Sequence, residues 1–197
     1  TAWLRNRDFS AWAESFWRWT AGHSRPENAD KGMNQEENVE RKLPLAFHAF
    51  GIQEPHLLIL HGLFGSSRNW RGFAQALEKE FRIWTIDLRN HGESPHAFQM
   101  SYQLMSEDVL EFAKMRELWK FGVLGHSMGG KTAMQMALDA PQQVRFLVVA
   151  DIAPVGYTHQ DRHGELIATM KQMNLNGIRQ MSDADAALKI KVPDPVL

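Results

Sequence analysis

The chain has no cysteine among its 197 residues. That excludes disulfides, thiolate zinc sites and a cysteine nucleophile, and it fits a reducing, cytoplasmic setting. A charge excess of either sign is also missing: 22 Lys plus Arg stand against 23 Asp plus Glu, for a formal charge of −1. Non-specific nucleic-acid binding needs a clustered basic surplus, so no nucleic-acid partner is expected. No apolar run approaches the roughly 20 residues of a membrane-spanning helix. Nor is a secretory signal peptide expected, because Arg5, Arg7 and Asp8 occupy the place of its apolar core. What is present is ordinary for a globule, 44% hydrophobic and 23% charged, enough for one core of moderate size.

Tryptophan is unevenly placed, with Trp3, Trp12, Trp17 and Trp19 near the start. Residues 8–20 carry Phe9, Trp12, Ala13, Phe16 and Trp17 at helical spacing, while 24–42 is polar and aperiodic. Residues 1–42 are therefore expected to be a helix and linker outside the domain. They are either a partner-docking or membrane-surface helix, or a segment foreign to the protein, since Met33 followed by Asn-Gln-Glu-Glu looks like a start.

From Leu43 the pattern becomes an alternation of strands and helices. Residues 43–50 alternate in polarity, 56–60 are apolar, and 82–86, 121–124 and 146–150 follow as further strand-like runs. Helical spacing occupies 70–81, 102–116 and 129–140, the last stopped by Pro141. The expected fold class is α/β, a doubly wound, mostly parallel sheet over 43–154. Ligands in such sheets bind at the carboxyl ends of the strands. Here those ends are chemically loaded: His61, Asp87, Gly125 and Asp151.

Residues 125–132, Gly-His-Ser-Met-Gly-Gly-Lys-Thr, satisfy two unrelated patterns. One is the nucleophile elbow G-x-S-x-G at 125–129; the other is the phosphate loop G-x-x-x-x-G-K-[ST]. In an elbow the strand turns sharply into a helix and presents Ser127 at the helix N-terminus, where the dipole favours a developing oxyanion. The amide of Met128 then supplies one oxyanion donor, and a second must come from an earlier loop. His61-Gly62-Leu63-Phe64-Gly65 stands where that loop is required. A phosphate loop leaves both this segment and residues 87–94 unexplained, so the hydrolase reading is preferred.

HGLFGSSRNW at 61–70, DLRNHGESPH at 87–96, GHSMGGK at 125–131 and VVADIAPV at 148–155 together resemble the α/β-hydrolase superfamily. Within it they are most similar to the small bacterial esterases whose eukaryotic relatives are the abhydrolase-domain-11 type. The resemblance covers about 43–181. It implies an esterase or thioesterase acting on a small acyl ester or thioester through a Ser-His-acid triad, with no metal or organic cofactor. By position it makes Ser127 the nucleophile and gives the oxyanion amides to Leu63 and Met128. It offers Asp151, 24 positions beyond Ser127, as the acid; the plainer reading is a strand-end Asp closing a turn. Asp87 precedes the nucleophile and is expected to brace the loop around Gly92.

A serine needs a histidine to take its proton, and the nine histidines supply no clear candidate. His61, His91 and His126 belong to their motifs, His48 and His56 to the first strands, and His96 to a loop. His23 lies in the N-terminal segment. His159 and His163 flank Asp161, which raises a zinc site as an alternative to a solvated face. In the family the base follows the last strand, and this chain stops at Leu197 before two further strands, so the base is expected to be absent and the chain inactive by itself. Missing strands are also expected to leave a bare sheet edge. The resemblance also makes 155–197 the beginning of a helical cap, in which Leu166, Ile167, Met170 and Met173 share one face, suited to core packing or to acyl contact. Ser182-Asp183-Ala184-Asp185 reads as a helix start. The competing class is a non-catalytic member keeping the fold for binding.

Overall fold

The computed structural model describes residues 2–4, 42–156 and 168–191. The strands are β1 (Ala2–Leu4), β2 (Phe47–Phe50), β3 (His56–Leu60), β4 (Arg82–Ile86), β5 (Phe121–His126) and β6 (Val144–Ala150). The helices are α1 (Arg71–Leu77), preceded by a 3₁₀ turn at Ser67–Trp70, then α2 (Tyr102–Met115), α3 (Met128–Asp139) and α4 (Met181–Lys191). The chain divides into two compact units, 1–155 and 156–197.

One six-stranded sheet runs β1-β6-β5-β3-β4-β2. Its inner pairs β3·β4, β3·β5 and β5·β6 are parallel, while β2 and β1 close the two edges antiparallel. Strand β3 shows why both faces are covered. Leu58 and Leu60 face one apolar cluster, with Met105, Val109 and Phe112 of α2 and Met134 of α3. Leu57 and Ile59 face the other, with Ala74 of α1. This is the doubly wound arrangement that alternation within an all-apolar run demands. Leu58, Ile59 and Leu60 are fully buried, each contributing about 1.5–3 kcal/mol of transfer free energy.

Helix ends follow local chemistry. Ser101 caps α2 by accepting the Leu104 amide on its hydroxyl at 3.1 Å. Asp183 in the first turn of α4 accepts the amides of Arg179 and Gln180. Beyond α3 the amide of Ala140 still reaches Met136, and Pro141 ends the helix.

Three expectations change. The first core strand is Phe47–Phe50 rather than 43–50. Pro44 has no amide to give to a ladder, and the amides of Leu43 and Ala46 donate instead to Asp108 and to the Ser94 hydroxyl. The edge beside β6 is not bare along 147–149, because Ala2–Leu4 pairs there; an open edge offers a ready row of backbone partners. Those three residues of 1–42 therefore sit in the sheet, while the helix expected at 8–20 and the linker up to residue 41 lie outside the described residues. Among the described residues no helix is long and apolar enough to cross a membrane.

Candidate active site

Register brings the strand ends together. Leu60 stands opposite Ile86 on one side and Gly125 on the other, and His126 stands opposite Ala150. The residues that follow, His61, Asp87, Ser127 and Asp151, all leave the sheet at one edge.

Ser127 lies between β5 and α3 at φ 49°, ψ −113°, a region that L-residues rarely occupy. Its neighbours enforce this. A Cβ on Gly125 would collide with the carbonyl of Gly129, and one on Gly129 would collide with the carbonyls of Leu60 and His61. Two glycines therefore let the strand turn into the helix with the backbones in contact. The Ser127 amide is tied to the Ala150 carbonyl at 3.0 Å, while its hydroxyl does not cap α3. The side chain thus stands at the helix N-terminus without capping it, with the Met128 amide as the first of the helix. Such an end stabilises negative charge.

The loop after β3 packs on this elbow. A Cβ on Gly62 would lie 3.4 Å from the Ser127 Cβ and 2.8 Å from His126 Nδ1. His61 controls the peptide that carries the Leu63 amide. Its Nε2 accepts the Leu88 amide at 3.0 Å, so Nδ1 carries the proton and donates to the Gly62 carbonyl at 2.8 Å. The Gly65 amide donates to the same carbonyl at 3.0 Å. In a trans peptide the next N–H points the opposite way, so these bonds aim the Leu63 amide. Burial holds the His61 imidazole below its ordinary value, with a smaller push from neighbouring His91, so the ring stays neutral.

Asp87 braces the loop around Gly92, where an added Cβ would collide with its carboxylate. Its carboxylate accepts the Ser67 amide at 2.5 Å and the Glu93 amide at 2.9 Å. Burial by itself would raise this carboxyl, but the amides of Glu93 and Ser67 outweigh it and hold it below the usual value.

Asp151 follows β6 at φ 57° with its side chain 84% exposed. Sequence reasoning set His126 aside, yet its Nε2 lies 3.7 Å from Asp151 Oδ2, and its ring centroid is 6.2 Å from that of Trp70. Trp70 meets Phe73 edge-on at 5.5 Å. Leu63 and Phe64, in the loop after β3, are exposed. Adjacency in sequence hid the His126–Asp151 relation; the pairing of His126 with Ala150 across β5 and β6 produces it.

Three other described histidines have different neighbours. His48 Nδ1 contacts the Ser67 hydroxyl at 3.1 Å and His91 Nδ1 the Arg89 carbonyl at 2.9 Å. His56 lies beside Trp84. His159, Asp161 and His163, and with them the zinc alternative, lie outside the described residues, as do Leu166 and Ile167. Met170 and Met173 are half-buried in the second unit. The phosphate-loop lysine is turned inward: Lys131 is 2% exposed, and its Nζ donates to the Val155 carbonyl at 2.6 Å.

Comparison with known proteins agrees with this geometry. Residues 55–176 match the family model described as alpha/beta hydrolase fold. The chain is 40% identical over 151 residues to the sn-1-specific diacylglycerol lipase ABHD11 of Mus musculus, covering 75% of this chain and 49% of that protein. It is 43% identical over 120 residues to a putative esterase/lipase of Haemophilus influenzae, covering 59% of this chain and 42% of that protein. Among solved structures, a marine microorganism esterase superposes with a TM-score of 0.70 at 40% identity, covering 76% of this chain and 59% of that one. The chain spans about half the length of the curated relatives it matches. A match over most of the chain, with a strained serine between strand and helix, shows that it belongs to the α/β-hydrolase family and is related to its ABHD11-type esterases.

Proposed function

We propose that the protein hydrolyses small carboxylic esters or acyl thioesters through a Ser-His-Asp mechanism that uses no metal or organic cofactor. The observation that carries this reading is Ser127, held at positive φ at the N-terminus of α3 with its hydroxyl not spent on capping the helix. In the first step its Oγ attacks the acyl carbonyl while a histidine takes its proton. The tetrahedral oxyanion is held by the amides of Leu63 and Met128, the leaving group departs with the histidine's proton, and an acyl-serine remains. Water, deprotonated by the same histidine, then releases the acid. Asp151 orients that histidine, which comes from outside the described residues.

The exposed side chains of Leu63 and Phe64, in the loop that carries the Leu63 amide, support an apolar acyl group, and the names of the mouse and Haemophilus relatives point to ester substrates. The cysteine-free composition supports a cytoplasmic setting. We read the base as none of this chain's histidines, and the 197-residue chain alone as inactive. In serine hydrolases loss of the histidine costs about as much as loss of the triad, roughly a millionfold.

A fluorophosphonate probe tests the assignment. Intact-mass analysis of the full-length protein should show one adduct, on Ser127, absent from Ser127→Ala. The 197-residue chain should label far more slowly. Labelling at another serine, or equal labelling of the shorter chain, contradicts the reading.

A further inference from the structure

Lys131 is the residue of the Gly-rich motif that the proposed chemistry leaves unused, and it is almost completely buried. Burying an ammonium is costly unless it makes bonds, and an apolar side chain of equal length would fill the same space more cheaply. Its two ends reach both halves of the site. The Lys131 amide donates to the Ser127 carbonyl at 3.1 Å, and Nζ donates to the Val155 carbonyl at 2.6 Å.

Between these ends lies the segment that carries Asp151. Upstream, Ala150 is fixed by the Ser127 amide at 3.0 Å. In the middle, Ile152 packs so closely that a Cβ on Gly130 would meet its Cγ2 at 2.5 Å. Downstream, the Val155 carbonyl is fixed by Lys131. Asp151 itself is at φ 57° with an exposed side chain, so its own contacts do little to hold a strained backbone. A charge-assisted bond is about twice as strong as a neutral one and suits such a tie.

We propose that Lys131 is a positioning residue for Asp151, clamping the 151–155 segment onto the helix that bears Ser127. This rests on the reading of Ser127 as nucleophile and Asp151 as acid. Misplacing a group by about 1 Å can cost about a hundredfold in rate, so the clamp should act on turnover rather than on substrate binding.

The test is a double-mutant cycle in the full-length protein, with p-nitrophenyl acetate as substrate. Lys131→Met should lower kcat about ten- to a hundredfold and leave KM within about twofold. In an Asp151→Asn background the same substitution should cost less than about twofold, because the group it positions is already gone. A generally loosened protein would lose rate equally in both backgrounds, and that result overturns the proposal, as does an unchanged kcat in Lys131→Met. If Lys131→Met does not fold, Lys131→Gln, which keeps an uncharged donor, is put through the same cycle and judged by the same criterion. An unmodified protein that hydrolyses no ester, or an Asp151→Asn variant with full activity, removes the underlying reading and the proposal with it.

Discussion

The amide of Ser127 and the carbonyl of Ala150 lie 3.0 Å apart, so the turn into α3 is pinned to the last residue of β6. The residue before Asp151 thereby holds the residue expected to attack. The elbow is built from backbone contacts, which leaves no room for even one added methyl group.

Gly129→Ala should show this. The new Cβ meets the carbonyls of Leu60 and His61, backbone atoms that cannot rotate aside. Overpacking of this kind costs about 1–3 kcal/mol. Urea unfolding should register a loss in that range, together with slower fluorophosphonate labelling of the full-length protein. An unchanged midpoint with unchanged labelling would show that the elbow is looser than these contacts imply.

Acid should weaken the fold in two stages. His61 is held below its ordinary 6.5 chiefly by burial. The unfolded chain therefore binds a proton that the folded chain refuses, and stability is complete above about 6.5 and falls as the pH drops towards the folded value. Asp87 is held below 3.8, because the amides of Glu93 and Ser67 outweigh the upward push of burial. Its contribution is present above 3.8 and is lost on further acidification. The urea midpoint should decline from pH 7 to pH 5, and His61→Gln should flatten that decline. Equal slopes in the two proteins would remove His61 from the account.

Arg89 and Asp108 form a buried ion pair, with Nε to Oδ2 at 2.7 Å and Nη2 to Oδ1 at 2.9 Å, and the Leu43 amide adds a third donor at 2.9 Å. Both side chains are 3% exposed or less. Asp108→Ala strands a buried guanidinium and should cost about 3–5 kcal/mol, whereas Asp108→Ala with Arg89→Met should cost less. Denaturant unfolding of the three proteins checks this. A double variant as unstable as Asp108→Ala alone, or more so, would contradict it.

How much of this was legible beforehand depends on the range of the interaction. His56–Leu60 and the chemically loaded strand ends are local patterns, so the sheet, its doubly wound cover and the edge bearing Ser127 could be read directly. The edges could not. Pro44 shortens the first core strand only because Asp108 and Ser94 take the neighbouring amides, partners 65 and 48 residues away. Ala2–Leu4 joins β6 from the far end of the chain, beyond the reach of any periodicity. The sequence assigns His126 only to its motif, but the β5·β6 register sets it near Asp151. The motif of Lys131 fits a phosphate loop as well as an elbow; its burial and its bond to Val155 show the inward direction.

The most direct test of the central claim is steady-state hydrolysis of a short p-nitrophenyl ester series by the full-length protein and by Ser127→Ala. Turnover by the former and loss of about a thousandfold or more in the latter is the result predicted. Hydrolysis that survives in Ser127→Ala, or none at any acyl length, would contradict it.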